Sequence, residues 1–115
     1  MIGTLYATVL DCPDPAALAE FYRGILDGEI TPDDDGHWVD LNVPGGPRLS
    51  FQRSPGHVPP VWPGDDGDQQ FHLDIEVADF DVAHEQLLAL GARHLETHKG
   101  FSVYLDPAGH PFFTV

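Results

Sequence analysis

Residues 71–91 read FHLDIEVADFDVAHEQLLALG, and the fold turns on this stretch. Its first seven residues alternate in character. Phe71, Leu73, Ile75 and Val77 are apolar, whereas His72, Asp74 and Glu76 are polar. A period of two predicts a half-buried strand, with the apolar set packed beneath helices and the polar row on the opposite face. Asp79 then stands where a helix N-cap belongs, and Gly91 stands where a left-handed residue closes one. A strand followed directly by a helix is thus written into 21 consecutive residues.

The flanking sequence repeats this theme. After the helix, ARHLET (92–97), FSVYLD (101–106) and PFFTV (111–115) predict three short strands. Near the N-terminus, TLYATVLD (4–11) predicts a strand rich in β-formers. Asp14 is placed as an N-cap with Pro15 at the first helical position. Leu18, Phe21, Tyr22, Ile25 and Leu26 follow at helical spacing, and Gly28 is expected to end the helix. EIT (29–31), HWVDLNV (37–43) and RLSFQR (48–53) predict three further strands between Pro- and Gly-rich turns. The order strand, helix, three strands therefore occurs twice. An offset of 65 places Ala7 on His72, Val9 on Asp74 and Asp14 on Asp79. Module one spans about 4–53, the Pro- and Gly-rich stretch 54–70 is a long loop, and module two spans 71–115, within a single domain of 115 residues.

Composition narrows the function. The chain carries 19 acidic and 5 basic residues, a formal charge of −14. A phosphate-backbone binder needs a basic surface that this chain does not supply, and an anionic membrane surface would repel it, so neither partner is expected. Cys12 is the only cysteine, which excludes a disulfide framework and a thiolate metal cluster. The N-terminus has neither a basic segment nor a long apolar run, so the cytoplasm is the expected location.

Four stretches, LDCPDPAALAEFYRGILDG, LSFQR, FHLDIEVADFDVAHEQLLALGA and YLDPAGHPFF, resemble the vicinal oxygen chelate superfamily, the glyoxalase, bleomycin-resistance and dioxygenase group, and in particular its small glyoxalase-like domains. The resemblance implies an α+β fold. Two βαβββ modules form a curved, cup-shaped mixed sheet with helices on the convex side. It also implies homodimers, and in catalytic members a divalent metal held by four side chains. Carried onto this chain, those four positions are Ala7, Gln52, His72 and Phe113. Alanine and phenylalanine offer no donor, which leaves His72 and the weak ligand Gln52 where about three protein ligands are needed. No metal cofactor is therefore expected.

Strand alternation fills in the remaining candidates. Trp38, Asp40, Ser50 and Gln52 are expected to face the cup, as are His72, Asp74 and Glu76, while Val39, Leu41, Leu49 and Phe51 pack under the helices. On FSVYL, the apolar Phe101, Val103 and Leu105 are expected beneath the helices, with Ser102 and Tyr104 in the cup. Asp40, Asp74 and Glu76 would give the cup a negative field favouring a cationic ligand. Trp38 offers a stacking surface for a planar one. Trp62, in the loop PPVWPG, is placed to cover the mouth, and Phe113 would make the floor apolar. Positions i and i+2 on a strand lie about 6.5–7 Å apart, a separation that argues against a direct bond between His72 and Asp74. His94 and His98 form an HxxxH pair on a strand, where they are not expected to converge as on a helix. The ligand-binding set is Trp38, Asp40, Gln52, Trp62, His72, Asp74, Tyr104 and Phe113. The function expected is metal-independent binding of a small organic molecule. The alternative is a lyase, isomerase or dioxygenase acting through a divalent metal or through acid/base chemistry at His72 and Glu76.

Overall fold

The computed structural model describes residues 1, 4–61 and 71–115. The chain divides into two compact units, Met1–His57 and Val58–Val115.

The first unit runs β1 (Ala7–Cys12), α1 (Pro15–Leu26), β2 (Glu29–Pro32), β3 (Trp38–Asn42) and β4 (Arg48–Arg53). Its sheet order is β1-β4-β3-β2, with β1 parallel to β4 and the other pairs antiparallel. Asp14 caps α1, its carboxylate accepting from the Ala17 N–H at 3.2 Å. The helix presents Leu18, Phe21 and Tyr22 to the sheet. These residues bury against Val39 and Leu41 of β3 and Leu49 and Phe51 of β4, and the Tyr22 ring stacks on Phe51 at 5.8 Å. Each fully buried side chain of this kind contributes about 1.5–3 kcal/mol, so the helix face holds the unit together. The helix ends one residue earlier than expected. Asp27 takes the C-cap position at φ 63, and Gly28 follows at φ 111.

The second unit repeats the order: β5 (Leu73–Ile75), α2 (Phe80–Leu90), β6 (Arg93–His98), β7 (Phe101–Leu105) and β8 (Pro111–Thr114). Its sheet order is β5-β8-β7-β6, with β5 parallel to β8. Asp79 caps α2 by accepting from the N–H groups of Asp81 and Val82, and Gly91 closes it in the left-handed region. Leu87 is the only buried residue of α2, so this unit has a thinner core, built on Ile75, Val103, Tyr104 and Phe112. Phe71, expected beneath the helices, precedes β5 and is exposed. Among the described residues no helix is long and apolar enough to cross a membrane.

A Cβ added at Gly28 would lie 2.5 Å from the Asn42 carbonyl oxygen, on a backbone that L side chains disfavour. Gly28→Ala is expected to cost about 1–3 kcal/mol. Asp79→Ala, which removes only a cap, is expected to cost about 1 kcal/mol. Urea denaturation midpoints of the two variants check the order.

Candidate functional site

Each sheet has one face covered by its helix and one that carries polar or aromatic side chains. In the first unit the register sets Trp38 beside Gln52 and Asp40 beside Ser50 on the face opposite α1, with Val9 and Asp11 on the neighbouring strand. Asp40 is the hub of this face. Its Oδ1 accepts from the Trp38 Nε1–H at 2.8 Å and from the Ser50 hydroxyl at 2.6 Å. Ser50 is fully buried, so its hydroxyl needs the partner that Asp40 provides. Arg48 lies 3.9 Å from Oδ2 of Asp40, donates to Asn42 Oδ1 at 3.2 Å and sits over the Tyr6 ring. Asp40 therefore orients Trp38 instead of presenting an unpaired charge, and the expected field of three carboxylates loses this member.

Beside that network lies a pocket of about 390 Å³ lined by His37, Trp38, Gln52, Arg53 and Pro55. Its corner is built by the backbone: the Arg53 N–H donates to the His37 carbonyl at 2.8 Å. The Arg53 Nη1 lies 3.3 Å from His37 Nε2, and His37 Nδ1 lies 3.3 Å from Asp35 Oδ2. The His37 backbone N–H also donates to Asp35 Oδ1 and is the main cause holding that carboxyl below its ordinary value. A charged Asp35 thus fixes His37, whose other nitrogen meets the guanidinium.

In the second unit, His72, Asp74 and Phe113 share a face, and His72 is half-buried. The His72 ring stacks on Phe113 at 4.0 Å, Phe113 on Phe101 at 5.5 Å and Phe101 on His98 at 4.6 Å. Four rings, with interplanar angles of 15–18°, form a ladder across the sheet. The His72 Nε2 lies 3.1 Å from Asp74 Oδ1, which corrects the expectation that the two are too far apart to bond. The spacing along a strand separates backbones, and the imidazole, lying flat on Phe113, reaches the Asp74 carboxylate. Glu76 is exposed beyond the end of β5.

Tyr104 is a second correction. It pairs with Phe112 across the sheet, while Val103 pairs with Phe113, so Phe101 and Val103 lie on the His72 face and Ser102 and Tyr104 on the opposite one. Alternation along β7 has the right parity, but both sides of this central strand are covered and apolarity alone selects the wrong face. Tyr104 packs its ring on Phe112 at 5.5 Å, and its hydroxyl lies 2.8 Å from His84 Nδ1 on α2. His94 packs edge-on to His84 at 5.0 Å and tilted against Tyr104 at 5.2 Å in the same cluster. No regular ligand spacing marks this cluster in the sequence. A bulge between His94 and Glu96 sends His94 to the helix side and His98 to the ladder side, so the HxxxH pair does not converge. Asp106 and His110, in the DPAGH turn, bond through Oδ2 and Nδ1 at 2.8 Å. Trp62 lies outside the described residues.

The four positions implied for a family-type metal do not fit one. Ala7 and Phe113 carry no donor, the Phe113 ring lies against His72, and the His72 Nε2 faces Asp74. Among the described residues no group of three His, Cys, Asp or Glu side chains is placed to hold a metal ion.

Paired βαβββ units, each with its first and last strands parallel, are the architecture of the vicinal oxygen chelate superfamily. A family model described as a glyoxalase-like domain matches residues 7–115. The chain belongs to this glyoxalase-like domain family. Among solved structures, a glyoxalase/bleomycin resistance protein/dioxygenase family enzyme from Burkholderia phytofirmans PsJN superposes with a TM-score of 0.74 at 16% identity, over 97% of both chains. The fosfomycin resistance protein FosX from Mesorhizobium loti gives 0.72 at 16% identity, over 99% of this chain and 91% of that one. The oxidase ChaP-H2 gives 0.68 at 22% identity, over 99% and 93%. At these identities the likeness is one of fold. Comparison with curated proteins gives no sequence match.

Burial pushes the Tyr104 phenol above the ordinary tyrosine value of 10.0. A raised phenol contributes stability that is fully present below the ordinary value and is lost as pH climbs through it toward the raised one. Tyr104→Phe is expected to flatten the alkaline limb of the stability curve. At neutral pH it is expected to cost about 1 kcal/mol for the lost bond to His84. Denaturant titrations at neutral and alkaline pH read both effects.

Proposed function

We propose that this chain is a metal-independent small-molecule-binding member of the glyoxalase-like family, taking a planar organic ligand on the open faces of its sheets. The observation that carries this reading is the pairing of His72 with Phe113. At the two implied metal positions of the second unit, an imidazole lies flat on a phenyl ring at 4.0 Å, where a metal site would need a second donor. An aromatic floor favours planar ligands by stacking. Trp38, held through Asp40, offers the same kind of surface in the first unit. A cationic preference rests on Asp74 and Glu76 alone, because Asp40 is already bonded to two donors. The homodimer implied by the family resemblance belongs to the same proposal, since the sheet orders leave β1, β2, β5 and β6 as edge strands.

Calorimetry with planar aromatic compounds, run in chelator and again with added Mn, Ni or Zn, tests the proposal. The affinity is expected to be equal in both conditions, and Phe113→Ala is expected to weaken binding about tenfold through the lost stacking surface. Stoichiometric metal in the purified protein, with binding that depends on it, would overturn the reading.

A second reading is an acid/base enzyme at His72, and the 3.1 Å contact to Asp74 favours it. A carboxylate beside an imidazole orients the ring for proton transfer. On this reading, Asp74→Asn lowers turnover by releasing the ring and His72→Ala abolishes it.

A further inference from the structure

The pocket beside Trp38 has a chemical character that the net charge of the chain does not announce. Its volume of about 390 Å³ is that of a small-ligand site. One wall is the Trp38 indole, fixed in orientation by its bond to Asp40. Gln52, directly across the strand pair, adds an amide with both donor and acceptor atoms. The charged group at the pocket is Arg53, and among the described residues no carboxylate lies within ion-pair distance of it. Among those residues its side chain bonds through Nη1 to the His37 ring. Arg23 is paired with Glu20, and Arg48 is engaged by Asn42, Asp40 and Tyr6. In a chain with 19 acidic residues and 5 basic ones, a guanidinium held at a pocket by a histidine instead of a carboxylate leaves its Nε and Nη2 donors available.

From this arrangement we infer that the pocket formed by His37, Trp38, Gln52, Arg53 and Pro55 binds an aromatic ligand bearing a carboxylate or phosphonate group. The ring lies on Trp38 and the anionic group receives a forked pair of bonds from Arg53. This inference rests on the small-molecule-binding reading above and names the ligand class at one face. Arginine suits the role because its planar fork matches two oxygens of such a group, whereas lysine offers a point charge. The Asp35–His37 contact holds the imidazole in place, and the His37 ring in turn positions Nη1. The long-range repulsion of a −14 chain for an anion is screened beyond about 8 Å at physiological salt, so the local guanidinium governs the bound ligand.

The test is calorimetry on the full chain in chelator, with benzoate and phenylphosphonate as anionic probes, benzamide as the neutral isostere and benzylammonium as the cation. The anions are expected to bind at least about tenfold more tightly than benzamide, the preference that one charge-assisted fork confers. Arg53→Gln is expected to remove the preference and Arg53→Lys to restore part of it. The thermal midpoint of both variants should match the parent, because Arg53 is exposed. Chemical shift changes at the Trp38 indole N–H and the Gln52 amide locate the probe. Benzylammonium binding as tightly as benzoate, an anion preference that survives Arg53→Gln, or no binding of either anion at millimolar concentration would each overturn the inference. Binding of benzamide or benzylammonium without the anion preference leaves the metal-independent reading standing while this inference fails. Anion binding that appears only with added metal overturns both.

Discussion

A strand that pairs parallel with its partner cannot return through a tight turn; the chain must cross over the sheet, and a helix is the usual bridge. In both units the first strand pairs parallel with the last, β1 with β4 and β5 with β8. This constraint decides which face of each sheet its helix covers. The helix between the first and second strands covers one face, so apolar residues gather there, and the chemistry-bearing residues are left on the other. Trp38, Asp40, Ser50 and Gln52 in one unit, and His72, Asp74, Phe101 and Phe113 in the other, sit opposite their helices for this reason.

The two open faces then diverge in character. The first is a hydrogen-bonded surface centred on Asp40, where a buried hydroxyl and an indole N–H both need an acceptor. Read as isolated charge, Asp40 suggests a site for cations. Read with its partners, it is a support for the Trp38 wall, and the guanidinium beside that wall is Arg53, bonded to the His37 ring. The second face is an aromatic ladder with an imidazole at each end. The His72 and His98 rings have carboxylates near them, Asp74 at 3.1 Å and Glu96 at 3.8 Å.

Much of the fold was legible locally. Both N-caps, Asp14 and Asp79, and the Gly91 cap stand where the sequence places them, because capping depends on residues within one turn. The two helices begin 65 residues apart, at Pro15 and Phe80, matching the offset of the repeat. The absence of donors at Ala7 and Phe113 is likewise visible without coordinates, since it is a matter of residue identity. The site was less legible. Tyr104 falls on the helix side, and His84 and His94 meet it there, through a bulge at residues 94–96 that no local pattern announces.

The sequence by itself determined the order of elements, the helix N-caps, the alternation of the strands outside the β6 bulge and the inventory of donors, because these follow from neighbours in the chain and from side-chain chemistry. Tertiary structure alone decided which of two faces a covered central strand presents, that His72 reaches Asp74, that Asp40 is occupied by Trp38 and Ser50, and that His37 comes to lie beside Arg53, 16 residues away. The reason is register. Alternation tells which residues of one strand share a side, but pairing between strands distant in sequence sets what stands opposite them.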